Sequence, residues 1–161
     1  MNSPLQLKEH RFTQFSVEAI ATGLPGAGTQ VKTQYSVGRS DTDKHLWRVI
    51  LKAEFGPSEE QKACPYRGHV EMIGWFAVSE KWPEDKTEEL VKVNGASILY
   101  GAIREMLLTV TARSSHDAFM LPTMSFASAV KAEPEAAPKS QPTKAPPAMP
   151  AAVRKAVKHR V

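Results

Sequence analysis

The sequence has little of what secreted proteins and membrane proteins carry. Cys64 is the only cysteine in 161 residues, which excludes an intrachain disulfide and a cysteine-rich zinc site. A single free thiol is typical of a reducing compartment, so we expect a cytoplasmic protein. No run of about 18 apolar residues occurs, and the first twenty residues lack the apolar core of a signal peptide. We therefore expect no membrane span and no export of this chain.

Motifs for catalysis and for cofactor binding are also missing. The five histidines form no His-Glu-x-x-His motif and no Cys/His spacing that would hold zinc. Residues 114–117, Ser-Ser-His-Asp, contain the residue types of a catalytic triad, but triad partners converge from separate segments. The glycines at 23, 26 and 28 lack the Gly-Lys-Ser/Thr of a phosphate-binding loop. We expect no enzyme activity, no metal and no cofactor.

Positive charge is concentrated at the C-terminal end. The whole chain has a net charge of +4, and residues 131–161 contribute seven Lys or Arg against two Glu, so the first 130 residues have a net charge of −1. Six of the twelve prolines lie between positions 134 and 150. This composition predicts a folded domain over 1–130 and a disordered, basic Pro/Ala/Lys-rich tail over 131–161. The last residues, AAVRKAVKHRV, would form a short basic helix if they met an acidic surface.

Four stretches alternate apolar and polar residues with a period of two, which is typical of strands. They cover residues 5–20, as one long or two short strands, and then 30–37, 47–55 and 66–78. Most connections between them are short and polar or rich in glycine. Because parallel pairing requires long crossovers, we expect an antiparallel meander.

A helix is predicted after the strands, from Ala96 to Arg113. Its large apolar residues recur at offsets 0, 4, 7, 8 and 11, which places them in one stripe of a helix. These residues are Leu99, Ile103, Met106, Leu107 and Val110. Asn94-Gly95 before the helix indicates a turn. Four strands followed by one long helix predict an α+β fold in which the helix covers one face of an antiparallel sheet.

The helix and the segment after it resemble the SecB family of protein-export chaperones. The run ILYGAIRE at 98–105 is similar to the family's N-I-L-F-P-Y-A-R-E helix start, with Gly101 in place of the proline. Leu121-Pro122 and Phe126 resemble its L-A-P-V-N-F segment, with one residue more between Pro122 and Phe126. The resemblance covers roughly residues 10 to 126. It implies a SecB-like fold, a homotetramer and binding of unfolded polypeptides.

Both faces of the predicted sheet carry large apolar side chains, more than one helix can cover. This excess favours oligomerisation, as a tetramer or a dimer, or an apolar groove open to ligands. The candidate client-binding residues are Phe12, Phe15, Trp75, Trp82, Met120, Leu121 and Met124. The candidates for helix-to-sheet packing and subunit contacts are Tyr100, Ile103, Met106 and Leu107.

The leading hypothesis is therefore an ATP-independent chaperone that keeps polypeptides unfolded for export. The chain lacks the second long helix and the acidic end through which the SecB family contacts the SecA motor, which puts SecA binding in doubt. One alternative is a SecB-like chaperone dedicated to a single client such as an antitoxin. Another is a nucleic-acid-linked or scaffold protein acting through its basic tail. That tail has no aromatic residue for base stacking, so we do not expect nucleic acid as a partner.

Overall fold

The computed structural model describes residues 3–24, 28–58, 60 and 63–127, and the predicted tail, 131–161, lies outside them. Four strands form one antiparallel sheet: β1 Leu5–Ala19, β2 Gln30–Arg39, β3 Leu46–Gly56 and β4 Tyr66–Val78. A helical stretch follows, made of a 3-10 turn at Glu84–Lys86, a short helix α1 at Thr87–Leu90, a π-helical turn at Val91–Gly95 and a long helix α2 at Ala96–Thr111. The predicted α+β fold, four strands and then one long helix, is confirmed.

The strand order is β1-β4-β3-β2, so the predicted meander is wrong for β1. After β1 the chain runs next to residues 63–65 and is hydrogen-bonded to them. The backbone N–H of Ile20 donates to Pro65 O over 2.8 Å, and the backbone N–H of Leu24 donates to Ala63 O over 2.7 Å. A side chain at Gly23 would overlap the backbone of Pro65. The glycine-rich connection therefore crosses to the far edge of the sheet, where β2 begins, and leaves β1 to pair with β4.

β1 is one strand with two bulges. Its pairing with β4 shifts register between Leu7 and Glu9 and again between Phe12 and Gln14. Each extra residue moves the following side chains to the other face, because strand side chains alternate with a period of two. Phe12 and Phe15, three positions apart, thus lie opposite buried β4 residues on the same face.

The core lies between the sheet and α2. The buried residues of α2 are Ala96, Leu99, Tyr100, Ile103, Leu107 and Thr111. They pack against the inward residues of the two central strands, among them Val49, Leu51, Met72 and Phe76, each 0% exposed. Met106 and Val110 do not belong to this stripe, since they are 37% and 41% exposed. The predicted packing role of Met106 against the sheet is therefore wrong, and Tyr100 and Thr111 complete the stripe instead.

The dipeptide Asn94-Gly95 does not interrupt the helical stretch, contrary to the predicted turn. It lies in the π-helical turn that joins α1 to α2. A Cβ at Gly95 would lie 3.0 Å from Cγ2 of Val49, so glycine allows the helix backbone to approach the sheet closely. Within the described residues, no helix is long and apolar enough to cross a membrane.

Candidate functional site

One side of α2, towards β2, is filled by the segment that follows the helix. Phe119, Leu121 and Phe126 of this segment are 8%, 1% and 3% exposed. The Phe126 ring lies 5.9 Å from that of Tyr35 in β2 and 5.7 Å from that of Tyr100 in α2. We call this side, made by residues 119–126 against α2 and β2, the closed flank.

Hydrogen bonds to backbone carbonyls hold the closed flank in place. The Tyr100 hydroxyl donates to Pro122 O over 2.8 Å, and Arg104 Nε donates to Leu121 O over 2.9 Å. The backbone N–H of Phe119 donates to the Thr111 hydroxyl over 2.8 Å. Burial raises the pKa of Tyr100 above its ordinary value, and the nearby Arg104 opposes that rise. The segment is thus hydrogen-bonded to α2 at residues 119, 121 and 122, and its other end contacts α2 through the Phe126 and Tyr100 rings.

The other side of α2, towards β1, has no covering segment within the described residues. Four α2 residues spaced by four, Ile98, Ala102, Met106 and Val110, lie on the side of the helix away from Arg104. Ile98, Met106 and Val110 are 39%, 37% and 41% exposed. β1 contributes the half-buried Phe12 and the exposed Phe15. We call these five large side chains, Phe12, Phe15, Ile98, Met106 and Val110, the open flank.

The second bulge of β1 builds the aromatic part of the open flank. The rings of Phe12 and Phe15 meet edge to face, with centroids 5.5 Å apart and an interplanar angle of 80°. Thr13, between them, donates its hydroxyl to Glu71 Oε1 over 2.8 Å. The Lys52 ammonium, 2.7 Å from the other oxygen of Glu71, and then the Thr13 hydroxyl hold the pKa of that carboxyl below its ordinary value. A polar cluster on the outer sheet face therefore fixes the backbone that presents two phenyl rings on the inner face.

The predicted client-binding residues do not converge on one surface. Only Phe12 and Phe15 lie on the open flank. Trp75 lies on the outer face of the sheet under the guanidinium of Arg11, 4.7 Å from the ring centroid. Trp82 lies beyond the end of β4 and lines a cleft there.

The three predicted client-binding residues of segment 119–126 also differ in how far they are buried. Met120 is 54% exposed, whereas Met124 is half-buried and packs against the core. Leu121 is 1% exposed and packs in the core, so its side chain is not accessible to a client in this protomer. Client binding by the other predicted residues stays a prediction.

Three of the predicted packing residues of α2 are buried between the helix and the sheet, namely Tyr100, Ile103 and Leu107. The fourth, Met106, is on the open flank. The sequence analysis missed Ile98 as a surface residue and placed Val110 in the wrong stripe. The signal was present in the sequence, because Ile98, Met106 and Val110 stand at offsets 0, 8 and 12. That second helical row has the same period as the buried one, so periodicity alone does not say which row faces the sheet.

The open flank offers apolar surface and no reactive group. Within the described part of the chain, no three His, Cys, Asp or Glu side chains come together as a metal site. What this arrangement can do is remove the apolar side chains of another polypeptide from water, which is favourable in proportion to the area buried.

Comparison with known proteins gives a distant structural relative. No protein-family model matches the sequence. The uncharacterised protein MJ0357 of Methanocaldococcus jannaschii is 25% identical over 97 residues, which are 60% of this chain and 61% of that protein. The chain thus spans about three fifths of the length of the curated relative that it matches.

Two solved structures align with the fold. The SecB-like chaperone Rv1957 of Mycobacterium tuberculosis, in complex with a ChAD peptide from the Rv1956 HigA1 antitoxin, aligns with a TM-score of 0.56 and 15% identity over 76% of this chain and 91% of that chain. A protein of unknown function from Streptococcus agalactiae aligns with a TM-score of 0.45 and 12% identity over 74% of this chain and 97% of that chain. The alignment with Rv1957 shows that the fold is SecB-like.

Proposed function

On the premise of a SecB-like fold, we propose that this protein is a molecular chaperone that binds non-native polypeptides through exposed apolar side chains and uses no nucleotide. The observation that carries the proposal is the open flank, where Phe15, Met106 and Val110 are exposed beside a well-packed core. Exposed apolar surface of this kind is typical of sites that bind other polypeptides. The fold shared with Rv1957, a SecB-like chaperone bound to a peptide, supports the same function.

The energies favour weak, repeated contacts over one tight site. Burying a Leu or Phe side chain of a client contributes roughly 1.5–3 kcal/mol. Three such contacts approach the ~8 kcal/mol of a micromolar complex before the cost of ordering the client is subtracted. One protomer therefore holds an unfolded segment only weakly. Several protomers on one client raise the avidity by ~10²–10⁴.

We infer from the same surface that the protein forms a homo-oligomer, a dimer or a tetramer. Ile98, Met106 and Val110 form a continuous apolar row on α2, and a second copy of the chain would cover part of it. An oligomer would also bring several open flanks together, as multivalent binding requires. Sedimentation of the full chain measures this directly.

The function is tested by the aggregation of a chemically unfolded client, followed by light scattering with and without the protein. The wild-type chain is expected to suppress aggregation near equimolar ratio. The double substitution Phe15→Ser and Met106→Ser is expected to lose most of this protection, because it removes two large side chains of the open flank.

The matched control for this assay is Leu108→Ser. Leu108 has the same 37% exposure as Phe15 and Met106 but lies on α2 away from the open flank. Protection should survive this substitution. Equal loss in the two variants would place client binding elsewhere, and no protection by the wild-type chain would contradict the chaperone function itself.

The range of clients gives two versions of the proposal. In the broader version the protein keeps many polypeptides competent for export from the cytoplasm, with the SecA motor as a doubtful partner. In the narrower version it guards one client such as an antitoxin, which the antitoxin peptide bound to Rv1957 favours. Capture from a lysate of the source cells separates them, because the first predicts many partners and the second predicts one dominant partner.

A nucleic-acid-linked or scaffold role through residues 131–161 is the remaining candidate, and the charge of this segment, +5, is its basis. Binding to nucleic acid through phosphate contacts would fall steeply with salt. A chain in which the basic residues of 131–161 are changed to Gln should then lose that binding and keep its protection of unfolded clients.

A further inference from the structure

A cleft with both apolar and charged lining lies at the end of the sheet, away from the open flank. It is a cleft of about 340 Å³ between the β2–β3 turn and the segment that follows β4. Trp47, Val78 and Trp82 form its apolar lining. We call it the tryptophan cleft.

Both indoles of the tryptophan cleft carry an unsatisfied hydrogen-bond donor. The Nε1 atoms of Trp47 and Trp82 are shielded from solvent and have no acceptor among the described residues. Trp47 itself is only 7% exposed. Buried indole N–H groups usually find a partner, and one without an acceptor is unfavourable. Within the described part of the chain, the two tryptophans that line the cleft are therefore not held in place by hydrogen bonds from their indole N–H groups.

The rim of the tryptophan cleft carries four carboxylates against two basic side chains, Arg39 and Lys44. Its carboxylates are Glu80, Glu84, Asp85 and Glu88. Arg39 pairs with Glu84 over 3.0 Å and Lys92 with Glu88 over 2.6 Å. Glu80 and Asp85 make no ion pair within the described part of the chain. An occupant that supplies positive charge would satisfy them.

We propose that the C-terminal residues 153–161 of this chain, VRKAVKHRV, bind in the tryptophan cleft. Their four Lys and Arg side chains match the unpaired carboxylates on the rim, and Val153, Val157 and Val161 supply apolar groups for the tryptophans. This inference does not depend on the chaperone function.

The length of the connection permits this contact. Phe126, next to the end of the described chain, lies against Tyr35 of β2, and Arg39 at the cleft is four residues further along that strand, about 13 Å. Residues 128–152 separate the two, and a proline-rich chain of that length reaches to roughly 75 Å at about 3.1 Å per residue. The segment can therefore reach the cleft of its own protomer.

The test uses the full chain labelled with ¹⁵N-tryptophan, in which the three indole N–H signals are assigned by single Trp→Phe substitutions. Arg154→Glu, Lys155→Glu and Lys158→Glu together are expected to shift the signals of Trp47 and Trp82. The signal of Trp75, on the outer face of the sheet, should not move. Salt at about 1 M should reproduce the shift in the wild-type chain, since it screens charges beyond about 3 Å.

The matched control reverses three charges in the proline-rich stretch, Lys131→Glu, Lys139→Glu and Lys144→Glu, and changes the net charge by the same amount. It should leave all three indole signals in place. Adding Glu80→Lys and Asp85→Lys to the Arg154, Lys155 and Lys158 variant should restore binding, and with it the wild-type signals.

Three outcomes would overturn the proposal. If the indole signals of Trp47 and Trp82 do not shift when the terminal charges are reversed, the terminal segment does not bind in the cleft. Equal shifts in both triple variants indicate a general charge effect. Shifts that occur only when an unfolded client is added identify the cleft as a client site instead.

Discussion

The two flanks of α2 differ in what covers them, although both are apolar. On the closed flank, residues 119–126 bury Phe119, Leu121 and Phe126. The carbonyls of Leu121 and Pro122 accept hydrogen bonds from Arg104 and Tyr100 of α2. On the open flank, Phe15 and Met106 are left partly in water. The difference teaches that apolar character alone does not distinguish a core from a binding surface. What distinguishes them, among the described residues, is whether another segment of the chain lies over the apolar surface.

The largest expected difference between the flanks is in stability. Leu121→Ala should lower the free energy of unfolding by about 2–5 kcal/mol, because it opens a cavity in the packed closed flank. Met120→Ala, the adjacent control, should change it by only about 0.5 kcal/mol, since Met120 is 54% exposed. Urea unfolding of the two variants gives the comparison, and equal losses would mean that residues 119–126 do not pack as described.

A smaller effect is expected from the bond between α2 and the closed flank. Tyr100→Phe removes the hydroxyl that donates to Pro122 O and should cost about 0.5–1.5 kcal/mol of stability. Aggregation protection should be unaffected, because the open flank is untouched. A loss of protection with stability unchanged would show that the closed flank also takes part in function.

On the open flank, Met106→Ser is expected to change stability by less than about 1 kcal/mol and to weaken the binding of a hydrophobic dye. The physical reason is that the Met106 side chain is already 37% exposed in the protomer, so its removal costs little packing. Dye fluorescence and urea unfolding measure the two effects on one sample. A stability loss as large as that of Leu121→Ala would show that another chain covers Met106.

The smallest effect concerns the bulge that builds the open flank. The pKa of Glu71 is lowered in the folded chain, so its contribution to stability is present above the unfolded pKa and is lost as pH falls through the folded value. Thr13→Val removes one donor to this carboxylate, raises its pKa and should reduce stability by about 0.5–1 kcal/mol at neutral pH. The deficit should shrink as the pH falls below about 4, which acid unfolding of the two chains measures.

Much of the fold was predictable from the sequence and part of the candidate site was not. The alternation of residues 47–55 predicted β3 correctly, and the strand extends from Leu46 to Gly56. The two bulges of β1 were not predicted, because a shift in the alternation, such as the three-residue spacing of Phe12 and Phe15, is also expected from a strand with apolar residues on both faces. Placing Phe12 and Phe15 on one face required the register with β4.

The helix shows the same division. Its two apolar rows, one with Leu99 and Ile103 and one with Ile98 and Val110, have equal spacing, and only packing against the sheet decides which is buried. Leu121 and Met120 are similarly apolar neighbours. Only the path of residues 119–126 along α2 sends one into the core and the other into water.

The sequence by itself determined the four strands, the long helix and the position of the basic residues, because these depend on local periodicity and composition. The tertiary structure decided the strand order, the pairing of β1 with β4 and the separation of a closed flank from an open one. These depend on contacts between residues far apart in the chain, such as Gly23 with Pro65 and Tyr100 with Pro122, which no local pattern encodes.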